Sequence, residues 1–174
     1  MSRAKMVVVC EDLQQRVFVY RLLKAFGLHR RTRFEVAKKG AADQWVRQSY
    51  PDEVAAYRAA TMAVGLLTAI DADENTVQYR YQQLNEELDA NGLDRRKSDE
   101  QICLLVPKRN IETWIYALLG NNVNESESYP KLEKESDCQP AVKELVQFVR
   151  KDCPEDLIPS LQRGCRELST RLPR

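Results

Sequence analysis

Three short apolar runs, each closed by a polar or turn-forming residue, constrain this chain more than any other feature. Met6-Val7-Val8-Val9-Cys10, Leu66-Leu67-Thr68-Ala69-Ile70 and Ile102-Cys103-Leu104-Leu105-Val106 are continuous runs with no alternation of apolar and polar residues. A strand written this way is apolar on both faces, as strands are in a parallel sheet covered by helices on either side. Between the runs, apolar residues recur at helical spacing. Leu13, Val17, Tyr20 and Leu23, with Val19 and Leu22 beside them, predict a helix that stops near Gly27.

The remaining elements follow the same alternation. The first strand is expected at 5–10, a more polar second strand at 33–37 and the third at 63–70. Trp45, Val46, Val54, Ala55 and Tyr57 predict helical material interrupted near Pro51. Asp73 or Asn75 is placed to cap a helix carrying Val77, Tyr81, Leu84 and Leu88, which ends near Asn91-Gly92. The fourth strand, 102–106, is closed by Pro107, and a short helix with Trp114 spans 111–119. A polar, exposed or mobile loop fills 121–136, and two final helices are expected over about 140–151 and 157–171. The order predicts an α/β fold with a mainly parallel four-stranded sheet, because right-handed crossovers leave few other arrangements. The 174 residues suit one domain over 1–120, with 121–174 as a polar loop and helical extension packed on or extending it.

Acidic residues stand where these strands stop. Glu11 follows the first run directly, and Asp71 and Asp73 follow the third. Loops at the carboxyl ends of parallel strands line one crevice, so these three can converge. Asp71 and Asp73 are one residue apart, and in an extended segment their carboxylates point the same way and repel unless a cation or proton intervenes. Mg²⁺ or Mn²⁺, which favour oxygen ligands, fit that need. Glu112 lies just beyond the fourth strand and can complete a second metal position. The same acids have structural uses: an Asp-x-Asp after a strand also serves as a turn and helix cap, and an acid in a first helical turn complements the macrodipole. Asp12 and Glu74, which flank the site, are expected at helix termini.

Glu11 after the first strand, Asp71-Ala72-Asp73 after a later one, and Pro107-Lys108-Arg109-Asn110-Ile111-Glu112-Thr113-Trp114 past the fourth together resemble the Toprim fold. The sharper resemblance is to the small stand-alone Toprim proteins of bacterial defence and restriction-linked loci, and the chain also resembles OLD-family nuclease domains. It covers about residues 5–119. It implies a metal-dependent nuclease acting on DNA or RNA, with Glu11, Asp71, Asp73 and Glu112 as catalytic residues and the first three as metal ligands. A separately encoded ABC-type ATPase is an implied partner, since this chain contains no G-x-x-x-x-G-K-[ST] motif. Glu11 is followed by Asp12-Leu13 where many members have Gly and a basic or small residue, which argues against topoisomerase or primase activity. The competing reading is a non-catalytic Toprim-like module that docks onto a larger complex. A phosphotransfer receiver fits less well, because the late strand ends in Pro107 with an acid beyond it.

Net charge is +1, so any attraction for nucleic acid must come from local clusters. Lys38 and Lys39 follow the second strand and Lys108 and Arg109 the fourth, where cations can hold a phosphate backbone. His29 is the only histidine and has no matching nucleophile for a triad. Five cysteines, an odd number with no C-x-x-C spacing, are expected to be reduced. The apolar run after Met1-Ser2-Arg3-Ala4-Lys5 is too short for a signal-peptide core, so a cytoplasmic chain with no membrane association is expected, with a homo-oligomer open.

Overall fold

A computed structural model describes residues 6–61 and 65–173. Lys5, Ala63 and Val64, assigned above to strand ends, and the rest of the amino-terminal segment lie outside the described residues. The strands are β1 (Met6–Cys10), β2 (Thr32–Val36), β3 (Gly65–Ala69) and β4 (Ile102–Leu105). They form one sheet in the order β2-β1-β3-β4, and every pairing is parallel. The helices are α1 (Leu13–Ala25), α2 (Ala42–Ala59), α3 (Val77–Ala90), α4 (Ile111–Leu118), α5 (Gln139–Arg150) and α6 (Pro159–Arg171).

The continuous apolar runs resolve into two cores because alternate side chains leave opposite faces of a strand. Met6, Val8, Cys10, Leu67, Ala69, Cys103 and Leu105 face one layer, built from α1, α4, α5 and α6. Val9, Leu66, Ile70, Ile102 and Leu104 face the other, where Val46, Tyr50 and Val54 of α2 meet Tyr81, Leu84 and Leu88 of α3. The expected α/β layering is therefore observed, and the carboxyl-terminal helices share the first core. Ala141, Val142 and Leu145 of α5 and Leu161, Cys165 and Leu168 of α6 are all buried there. The outer edge of β4 is covered too, since Glu167 of α6 accepts a hydrogen bond from the Leu104 N–H at 2.9 Å.

Several local expectations are corrected. Helix α2 runs unbroken through Pro51, because Tyr50, Pro51 and Val54 are buried and tertiary packing outweighs the lost N–H bond. Helix α3 is capped by Thr76, whose hydroxyl accepts from the Tyr79 N–H at 3.0 Å, and not by Asp73 or Asn75. The loop after α4 is exposed over most of its length, as expected, and is tethered at two points: Glu125 accepts from the Ser160 N–H, and the rings of Tyr116 and Tyr129 pack at 5.6 Å. Cys153 and Cys165 form a disulfide, so two of the five cysteines are not free thiols. Their separation of 12 residues has no motif signature, and α6 brings them together by folding back on α5. Cys10, Cys103 and Cys138 are free and buried, and burial raises the pKa of each, which leaves them unreactive.

Trp114 joins the layers of the first core. It is fully buried, its indole N–H donates to Ser160 Oγ at 2.8 Å, and the far end of its six-membered ring packs closely on Gly164 of α6. A Cβ at position 164 would stand 2.3 Å from Trp114 Cη2. Gly164→Ala is therefore expected to lower the unfolding free energy by about 1–3 kcal/mol, the usual range for overpacking a rigid core. Urea denaturation followed by tryptophan fluorescence measures it, and an unchanged midpoint would mean that α6 does not pack on Trp114 as described.

Candidate functional site

The carboxyl ends of β1 and β3, adjacent at the centre of the sheet, deliver Glu11 and Asp71 to one place. Glu11 Oε2 accepts the Asp71 backbone N–H at 2.7 Å. Both carboxylates also take a hydrogen bond from one amide: Gln15 Nε2 donates to Glu11 Oε2 at 3.1 Å and to Asp71 Oδ1 at 2.9 Å. The carbonyl of the same side chain accepts the Glu11 N–H at 2.9 Å, so Gln15 is clamped at both ends. It is set there by the first turn of α1, where Asp12 caps the helix by accepting the Gln15 N–H at 2.8 Å.

Burial dominates the electrostatics. Glu11 is 9% exposed and Asp71 8%, and desolvation pushes Glu11 up to about 7 against the lowering effect of its hydrogen bonds. Asp71 is driven well above the usual carboxylate range by burial and then by the charges of Glu11 and Asp12. Glu112, from the first turn of α4, is 3% exposed, is raised chiefly by its own desolvation, and adds to the field that raises Asp71. Glu11, Asp71 and Glu112 thus form one electrostatic group.

Asp73 acts on that group through its charge, which raises Glu11, but makes no hydrogen bond to either acid among the described residues. Its φ of 52° takes the chain off the extended path, and the two carboxylates have different partners, Gln15 for Asp71 and Arg80 for Asp73. Asp73 has a side chain 60% exposed and pairs with Arg80 at 3.4 Å. Its pKa is raised by burial, with Arg80 acting in the opposite sense. Its backbone N–H donates to Arg109 O at 3.0 Å, and Arg109 also has positive φ, at 67°. Two non-glycine residues in the left-handed region, facing each other across the β3 and β4 loops, mark a place where surrounding structure imposes the backbone.

Arg80 anchors this side. It is 2% exposed, donates from Nε to Asp71 O at 3.0 Å, and contacts Asp43 Oδ2 at 3.1 Å and Gln83 Oε1 at 2.8 Å through Nη1. Neither Gln15 nor Arg80 was singled out from the sequence, yet both carried a signal. Position 15 falls on the buried stripe of Phe18, Val19 and Leu22, and position 80 on that of Val77, Tyr81 and Leu84. A polar residue on such a stripe requires a buried partner.

The expected phosphate contacts are dispersed. Lys108 Nζ donates to Asp73 O at 3.1 Å. Arg109 pairs with Glu74 at 3.6 Å and donates to Ser128 Oγ, so Glu74 serves as an ion-pair partner and not a helix cap. Lys38 and Lys39 are exposed beyond β2 and make no hydrogen bond or ion pair with the acids among the described residues. No family model, curated protein or solved structure matches this chain. No described helix is long and apolar enough to cross a membrane.

Among the described residues, no three Asp, Glu, His or Cys side chains are grouped so as to hold a metal ion. The oxygen donors nonetheless suit a hard cation, and Mg²⁺ commonly takes only one or two carboxylates while keeping its waters. Glu11 Oε1 and Asp71 Oδ2, which accept no hydrogen bond from a described residue, fit that smaller requirement; Asp73 binds Arg80 through Oδ2, and its Oδ1 likewise accepts none from a described residue.

The raised pKa values give a pH signature. A carboxyl with a folded pKa above its unfolded value holds more protons when folded, so stability falls as pH rises from the ordinary 4.5 of Glu11 through about 7. In EDTA, the melting temperature is expected to drop between about pH 5 and about pH 8, equivalent to a loss on the order of 3 kcal/mol from Glu11 alone. Differential scanning fluorimetry of wild type and a Glu11→Gln/Asp71→Asn variant checks this. If the variant shows the same drop, the two carboxyl groups are not its source.

Proposed function

We propose that this chain is a Toprim-like, divalent-metal-dependent nuclease, the effector subunit of a bacterial anti-phage defence system. The observation that carries the reading is the buried Glu11–Asp71 pair at the carboxyl ends of two adjacent parallel strands, with Glu112 close enough to raise Asp71. Two carboxyl groups forced together and desolvated by the fold are costly to ionise, and a cation between them removes that cost.

Asp71 and Glu11 would hold the cation, Mg²⁺ or Mn²⁺, which supplies charge neutralisation at the scissile phosphate. Asp73 pairs with Arg80 through Oδ2, so its Oδ1 would serve as the third ligand without breaking that pair. Glu112, buried and raised above its usual pKa, is the group left to take a proton from water. As that water's oxygen bonds to phosphorus, the bond from phosphorus to one sugar oxygen breaks, and the leaving oxygen takes a proton from solvent. Lys108 and Arg109, beside Asp73, would hold the strand by its phosphates, with Lys38 and Lys39 reaching it from the far side of the sheet. A cytoplasmic location belongs to this reading; the Cys153–Cys165 disulfide weighs against it.

One observation favours a second reading, a non-catalytic module docking onto a larger complex such as an ABC-type ATPase. Gln15 and Arg80 already give Asp71 and Asp73 partners without any metal.

Incubating plasmid, single-stranded DNA and transfer RNA with Mg²⁺ or Mn²⁺ separates the two. The nuclease reading expects cleavage of at least one substrate, and a loss of roughly a hundredfold or more in Asp71→Asn. The same variant is expected to melt no lower than wild type at neutral pH, since it removes a carboxyl group whose ionisation burial disfavours. Absence of cleavage by wild type, alone and with a copurifying ATPase, would sink the nuclease reading and leave the module.

A further inference from the structure

A cavity of about 280 Å³ opens beside Lys108, between the start of α3 and the start of α6, lined by Thr76, Val77, Lys108, Glu125, Ser160 and Arg163. It is smaller than the 300–1,000 Å³ of sites that engulf a whole drug-sized ligand, so it suits a single group of a larger molecule. Its charges indicate which group. Lys108 and Arg163 form no ion pair among the described residues. Arg163 is held in place by stacking on the Tyr81 ring, 3.6 Å from its centroid, and by donating to Gln78 Oε1 at 3.1 Å. Lys108 also bonds the Asp73 carbonyl, and the connection carrying Asp71 and Asp73 runs on to Thr76 and Val77 of the lining, so the cavity and the acids share that loop.

The single acid in the lining, Glu125, comes from the polar loop after α4. Its Oε2 accepts the Ser160 N–H at 3.1 Å, within the first turn of α6. A carboxylate on a backbone N–H beside two cations without acidic partners occupies the position that a phosphate oxygen would take.

We propose that this cavity binds a phosphodiester of the nucleic-acid strand, one or more nucleotides away from the bond cut at Glu11 and Asp71, and that the Glu125 carboxylate occupies it until the strand displaces it. The identity of the ligand rests on the nuclease reading. Lys108 and Arg163 contact the phosphate, Ser160 N–H donates to it once Glu125 has moved, and the 121–134 loop follows Glu125 outward. Lys108 thereby binds the strand in the cavity, not at the scissile phosphate.

Fluorescence anisotropy with labelled DNA and RNA oligonucleotides of one sequence, in EDTA so that nothing is cut, tests this with the full chain. Lys108→Gln and Arg163→Gln are each expected to weaken binding roughly threefold to tenfold and to reduce the slope of log affinity against log salt by about 0.7. Glu125→Gln is expected to act in the opposite direction and tighten binding. Circular dichroism melting identifies any variant that has lost its fold, and Lys108, which is half-buried and, among the described residues, anchored to a carbonyl alone, keeps the test available if Arg163→Gln unfolds. Unchanged affinity and slope in folded Lys108→Gln and Glu125→Gln, or no binding of either oligonucleotide by wild type, overturns the proposal. If these substitutions act on binding but wild type never cleaves, the nuclease reading fails and the phosphate site stands. Cleavage by wild type with binding indifferent to both substitutions removes the site alone.

Discussion

Two carboxyl groups that repel each other are held together by one amide, and the centre of the molecule is arranged around that conflict. Gln15 donates to Glu11 and Asp71 from the same nitrogen, and Glu11 binds the Asp71 backbone as well. The parallel pairing of β1 with β3 brings the two strand ends together, and the apolar layers on both faces prevent water from screening them. The fold spends stability here to keep two acids close and poorly solvated. An arrangement of that kind is expected where function requires charge to be concentrated, and strained or costly local structure is tolerated only when its surroundings over-determine it.

Much of this architecture is legible in the amino-acid order. The runs ending at Cys10, Ile70 and Val106 announce buried parallel strands because both faces of each are apolar, and β4 begins at the expected residue. The convergence of Glu11 with Asp71 follows from the rule that parallel strands present their carboxyl ends to one crevice. What could not be read is how the backbone leaves the sheet. Asp71 and Asp73 look equivalent in sequence, and only the left-handed conformation at Asp73, fixed by its bridge to Arg109 on a loop 36 residues away, sends them to different partners. The Cys153–Cys165 pairing depends in the same way on the return of α6, which no local spacing encodes.

The two polar residues that organise the site, Gln15 and Arg80, show why periodicity alone underdetermines function. Each occupies a position that the helical pattern assigns to the core, and the pattern tolerates one exception without losing its period. Such exceptions are the places where a buried polar network is to be sought, since a fully buried guanidinium or amide without partners would cost several kcal/mol. The carboxyl-terminal helices are a further case: their sequence carries no motif, yet Trp114 and Glu167 make them part of the core and of the sheet edge.

The clamp on Gln15 also determines where this chain can change length. Glu11, Asp12 and Gln15 lie within five consecutive positions and are tied by three hydrogen bonds to the first turn of α1. One residue added between Asp12 and Gln15 would rotate everything after it by about 100° and carry the amide off both acids. Asp71, by contrast, is 56 positions from Gln15, and the loops between them can absorb insertions without moving the end of β3. Length variation among descendants of this sequence should therefore be absent from 11–15 and concentrated in connections such as 37–41, not in 91–101, where Arg58, Arg96 and Arg171 tie the loop to its neighbours.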